Sequence, residues 1–164
     1  GTLNRDLARR MEPRAATPAA RLEAVRALRQ AGVPVGVIIA PVIPALSDHE
    51  IERVAIAAAE AGAQEASYIL LRLPHEVAGL FQEWLQAHYP MKASHVMKLL
   101  RAMRSGKDYD ADYQQRMRGV GVHAEILHQR FDRICMRTGL NRHPIRLDYS
   151  RFRPMVKSPQ LDLF

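Results

Sequence analysis

Two spacings alternate along the first half of the chain. Leu22, Val25 and Leu28 recur at helical intervals after Thr17-Pro18, a hydroxyl N-cap followed by proline at the first helical position. Gly32 marks the stop. VPVGVII (33–39) is almost continuously apolar, which predicts a strand covered on both faces, as in a parallel sheet. PVIPAL reads as a loop held open by Pro41 and Pro44. Ser47 and Glu50 have the S-x-x-E spacing of a capping box. Behind them Ile51, Val54, Ala55 and Ala58 trace the inner face of a second helix that ends at Gly62. ASYILLR (66–72) predicts the second strand.

QAG before the first strand and EAG before the second lie roughly thirty residues apart, a usual βαβ length. Short links between alternating helices and strands imply a parallel sheet with right-handed crossovers. Two strands make a poor parallel sheet alone, so further strands are expected upstream. The opening TLNRDLARRMEPR reads as the exit of a strand, and the chain is expected to be part of a longer protein.

After Pro74 the spacing becomes helical throughout. Val77, Leu80, Phe81, Trp84 and Leu85 predict one amphipathic helix, ended by Tyr89-Pro90. Val96, Leu99, Leu100 and Met103 predict another, ended by Gly106. DADYQQRM (110–117) is consistent with a short helix. A third long pattern places Ile126, Leu127, Phe131 and Ile134 inside. From Asn141 onward the chain looks irregular, and Pro154 and Pro159 bracket an extended stretch. The expected organisation is therefore residues 1–74 as α/β units, 75–140 as a helical extension and 141–164 as a tail.

Composition narrows the class. No apolar run reaches membrane-spanning length, and the single cysteine, Cys135, excludes an internal disulfide framework, so a reducing cytoplasm is the expected compartment. The net charge is +7, and it is uneven. Residues 91–164 hold 15 Lys and Arg against 7 Asp and Glu, whereas residues 1–90 hold 9 against 10. A basic helical half points to an anionic partner, nucleic acid first, or to a solvated arginine-rich face.

H-E-x-x-H, C-x-x-C, Walker A and G-x-S-x-G patterns are all absent. His123 and His128 are five apart and do not share a helix face. Cys135 falls in the last apolar helix as a small core residue. Read from the residues alone, this is an α/β scaffold without a complete active site.

TLNRDLARRMEPRAATPAARLEAVRAL, AGVPVGVIIAPVIPALSDHEI, ASYILLRLPHEV, RSGKDYDADYQQRMRG and the final QLDLF together resemble the C-terminal half of radical S-adenosylmethionine (SAM) proteins of the spore photoproduct lyase-related group. The resemblance implies the last units of a partial (β/α)6 barrel followed by a basic helical extension. In that family a C-x-x-x-C-x-x-C loop holds a [4Fe-4S] cluster. The cluster reduces SAM to a 5′-deoxyadenosyl radical, which in the lyase acts on crosslinked thymines in DNA. That loop is missing here, and one cysteine cannot replace three, so the cluster is expected on an N-terminal half.

The resemblance also implies positions. Gly1–Leu3 match the end of the fourth barrel strand, which puts Thr2 and Asn4 at the barrel mouth. Glu12 and Arg14 of MEPR match a motif that holds the ribose hydroxyls or amino-acid end of SAM; a local salt bridge pinning the loop is the other reading. Val37, Ile39, Ala40 and Pro41 match the strand that lies against the adenine, where a plain buried strand has the same letters. Arg72 matches the sixth-strand exit and suits an anion contact or a simple strand cap. Tyr109 and Tyr113 stand where hydrogen relays would be sought, though structural roles fit them better.

QLDLF resembles the pentapeptide by which bacterial repair and replication proteins dock on the DNA polymerase sliding clamp. Leu161, Leu163 and Phe164 would fill apolar pockets and Gln160 a polar rim, with Asp162 in water. A flap packed back on the body is the alternative. Two readings of function follow: a SAM-dependent lyase-like enzyme fragment acting on DNA, or a non-catalytic DNA-associated module tethered to the clamp.

Overall fold

A computed structural model of the chain describes residues 1–109, 112, 115–146 and 148–153. In chain order it contains α1 (Arg5–Met11), α2 (Pro18–Gln30), β1 (Gly36–Val42), a 3-10 turn (Asp48–Glu50), α3 (Ile51–Glu60), β2 (Glu65–Leu70), α4 (Val77–His88), α5 (Pro90–Ala102), α6 (Gly121–Thr138) and a 3-10 turn at Tyr149–Arg151. The fold is mixed α/β. Among the described residues the sheet has two strands, β1 and β2, and they are parallel as their apolar runs predict. None of the described helices is long and apolar enough to cross a membrane.

The local signals for α2 work as expected. Thr17 Oγ1 accepts from Ala20 N at 3.3 Å, Pro18 opens the helix, and Gly32 leaves it at a positive φ. Ile51, Ala55 and Ala58 are buried on α3, with Val54 partly buried beside them.

Three expectations are corrected. The first strand is Gly36–Val42 and runs through Pro41, which was expected in a loop. The pairing with β2 shifts register between Ile39 and Val42, so Pro41 sits where the ladder is interrupted and its missing N–H costs nothing. The capping box does not form. Ser47 Oγ instead accepts from Ile43 N at 3.0 Å, and Glu50 turns away from α3 to accept from Thr2 Oγ1 and Leu3 N. Ile126 is 48% exposed, because the inward stripe of α6 is Ala124, Leu127, Phe131, Ile134 and Cys135, and position 126 lies about 130° from the middle of that stripe.

One buried cluster joins the α/β units to the helical extension. It runs from Leu7 through Ile39, Val42, Ile51 and Leu70 to Phe81, Leu85, Leu100, Phe131 and Leu140. α6 lies on α3, and Phe131 meets Tyr68 of β2 edge-on at a centroid distance of 4.9 Å. Each such large side chain contributes about 1.5–3 kcal/mol on full burial.

The outer edge of β2 is occupied. Asn141 accepts from Ala66 N at 2.8 Å and donates to Ala66 O at 2.9 Å, and its own N–H reaches Gln64 O at 2.9 Å. Farther along, Leu70 N donates to Met117 O at 2.8 Å. Arg104, 1% exposed, donates to Leu71 O and Gln115 O, each at 3.0 Å. On the β1 side, Gly1 N donates to Pro41 O at 3.0 Å, so the segment before α1 lies beside the carboxyl end of β1.

Candidate functional site

A cleft of about 610 Å³ lies between α1, the 12–17 loop and the start of α2. Asn4, Arg5, Asp6, Arg9, Glu12 and Arg21 supply its polar lining. Its size suits a small ligand, and the small cavity that adjoins it reaches Pro41 near the carboxyl end of β1, the end at which open parallel sheets bind ligands. A second, smaller cavity of about 30 Å³ joins Thr2, Glu12, Arg21, Pro41 and Ser47 beside it.

Asn4 is the N-cap of α1. Its Oδ1 accepts from Asp6 N at 2.9 Å and Leu7 N at 3.0 Å, which is why a seven-residue helix starts directly after it. Glu12 ends α1 and pairs with Arg21 Nη2 at 2.7 Å. Both partners are about half exposed, so a ligand can exchange for either. Thr2 is spent on Glu50, and its Oγ1 also accepts from Asn4 N at 3.0 Å.

The structure thus brings together Asn4 and Glu12 in the cleft, and Thr2, Glu12 and Pro41 in the small cavity. Arg14 is exposed and lines neither. The Ile39 side chain is in the core and Val37 packs against it. With Thr2 and Ile38 they line a separate cavity of about 210 Å³, and Ile38, which the sequence reading passed over, is 64% exposed. Ala40 is half-buried next to Pro41.

Arg72 stands apart, just past the carboxyl end of β2. Its Nη2 donates to Tyr109 OH at 3.2 Å and its guanidinium lies 5.9 Å from that ring. Its buried Nε finds no acceptor among the described residues. Tyr113 and the partner-binding candidates Gln160, Leu161, Leu163 and Phe164 lie outside the described residues.

The sequence reading missed three members. Arg5, Arg9 and Arg21 line the cleft. Residues 4–21 hold five arginines against two carboxylates, a local excess that the half-chain tally hides. Counting charge in short windows would have found it.

The donor set does not fit an iron–sulfur cluster. Cys135 is the single cysteine, it is buried on α6, and burial pushes its thiol up to about 11, far from the thiolate a cluster needs. Among the described residues no group of three His, Cys, Asp or Glu is placed to hold a metal ion.

No family model matches the chain, and no solved structure matches it. Uncharacterized proteins of Mycobacterium tuberculosis and Mycobacterium bovis are 34% identical to it over 98 residues. That segment is 58% of this chain and 29% of each relative, so the match takes in less than a third of the relatives' length.

Proposed function

We propose that this chain is part of a radical SAM enzyme of the spore photoproduct lyase-related kind and supplies one wall of its SAM pocket. The observation that carries the reading is the cleft beside α1, where Asn4 and Glu12 share a lining and Glu12 also lines the small cavity that reaches Pro41 near the carboxyl end of β1. Glu12 would accept from ribose hydroxyls. The amide of Asn4 has a free NH₂ edge beyond its capping oxygen. Arg5 and Arg9, one helical turn apart in the cleft lining, would pair with a ligand carboxylate. Bound SAM would supply a sulfonium centre open to reductive carbon–sulfur cleavage. The chain's own residues bind and orient; the cluster belongs to a part of the enzyme with three cysteines.

The test is equilibrium dialysis of labelled SAM against the chain and against the full-length protein, reconstituted with iron and sulfide without oxygen. Saturable SAM binding that weakens in Glu12→Ala supports the reading. Absence of both SAM binding and a cluster absorption band in the full-length protein would end it.

A second reading is carried by QLDLF, a pentapeptide with three apolar anchors behind Pro159. In it the protein docks on a sliding clamp while its basic helices face DNA. Capture by immobilised clamp that survives Phe164→Ala would remove that reading.

A further inference from the structure

We propose that Glu50 is a positioning residue for the α1–α2 cleft, acting through Thr2 on the residues that line it. Glu50 is 4% exposed and sits in the turn before α3, outside the cleft lining. A carboxylate that deep is costly unless its oxygens are used. Oε2 accepts from the Thr2 hydroxyl and from Leu3 N, the latter at 3.2 Å. Oε1 is 3.8 Å from Arg53 Nη1, whose side chain is mostly in solvent, so the protein grips Glu50 chiefly through Thr2 and Leu3.

The grip is passed on in two steps. The Thr2 oxygen accepts from Asn4 N at 3.0 Å. Asn4 Oδ1 then caps α1 through Asp6 N and Leu7 N at 2.9 and 3.0 Å. Asn4, Arg5, Asp6, Ala8 and Arg9, which form one wall of the cleft, therefore take their position from one buried carboxylate 46 residues beyond the cap. A seven-residue helix is too short to hold itself. Leu7 in the core and Trp84 Nε1, which donates to Arg10 O at 3.1 Å, tie its middle and far end, and the Glu50 anchor sets the end at Asn4. The identity of the ligand rests on the reading above; the positioning role does not.

The experiment compares the parent with Glu50→Ala, Glu50→Gln and Thr2→Val, and with Ala57→Gly as a control on α3, outside the cavities that Thr2 and Leu3 line. Backbone amide exchange and SAM affinity are both read, at temperatures set equally far below each melting point. Glu50→Ala should speed exchange at Leu3, Asp6 and Leu7 at least tenfold over Ala57→Gly and weaken SAM at least tenfold. Glu50→Gln keeps an acceptor oxygen and should stay within threefold of the parent in both. If Glu50→Ala does not fold, Thr2→Val, which removes only the hydroxyl link, should show the same selective loss. Equal exchange at those amides in Glu50→Ala (or Thr2→Val) and Ala57→Gly would overturn the proposal. So would a Glu50→Gln loss as large as that of Glu50→Ala, which would assign the effect to charge. If the parent binds no SAM, the reading of function falls, and the exchange data alone decide the role of Glu50.

Discussion

Arg130 of α6 grips Glu52 of α3 with two charge-assisted hydrogen bonds, Nε to Oε1 at 2.6 Å and Nη2 to Oε2 at 2.7 Å. The same Nη2 reaches Asp48 O at 3.0 Å, so one guanidinium closes both α3 and the turn before it. The contact joins the basic extension to the α/β units, an ion pair at the rim of the apolar packing of α6 on α3. Both side chains are about one-third exposed, so the pair is worth more than a surface bridge and less than a buried one. Arg130→Lys loses the fork and the third bond. Urea unfolding should show a loss of about 1–2 kcal/mol.

The same pair sets a pH dependence. The hydrogen bonds from Arg130 hold the Glu52 carboxyl below its ordinary 4.5. A carboxyl depressed in the folded state contributes stability above its unfolded value and loses it as pH falls through the folded one. Stability should therefore drop below about pH 4.5 in the parent. The drop should shrink in Glu52→Gln, measured as the melting temperature at pH 3 to 6.

Asn141 is in the left-handed region, φ 61°, and makes both hydrogen bonds of a strand neighbour to Ala66. Ala66 is buried, so Asn141→Ala leaves an N–H and a carbonyl without partners and keeps the backbone strain. About 2–4 kcal/mol should be lost, with amide exchange at Ala66 accelerated most. Asn141→Gly relieves the strain but not the missing bonds, and should lose less than the alanine variant.

These contacts explain what the sequence discloses. α2 is legible because Thr17, Pro18 and Gly32 act on backbone within a few residues. The strands are legible because their apolar runs are unmixed. Glu50 is not, since its S-x-x-E spacing names one partner while Thr2, 48 positions away, takes the carboxylate. Arg130 with Glu52 and Asn141 with Ala66 are separated by 78 and 75 positions, beyond any local pattern. The end of β1 was misread because proline ends strands only where its N–H is needed. At the cleft, Asn4 and Glu12 were named from a family resemblance, and the arginines beside them were hidden by a tally over too long a window.

Gly119 tests how tightly the β2 exit is closed. It has φ +76°, and a Cβ there would stand 2.8 Å from Met103 O and 2.9 Å from Leu70 Cδ2. Leu70 can turn, but the carbonyl of Met103 is fixed, because Val120 N donates to it at 2.9 Å. Gly119→Ala must then push the 115–120 segment off β2. That movement stretches the bond from Leu70 N to Met117 O, 2.8 Å in the parent, and the bond from Arg104 to Gln115 O. Positive φ and overpacking together should cost about 2–4 kcal/mol. The loss should be accompanied by faster exchange at the Leu70 amide and by a change in the surroundings of Tyr109, which Arg72 holds at the same exit. An alanine variant with parental stability and unchanged Leu70 exchange would mean that the loop stands farther from β2 than these distances state.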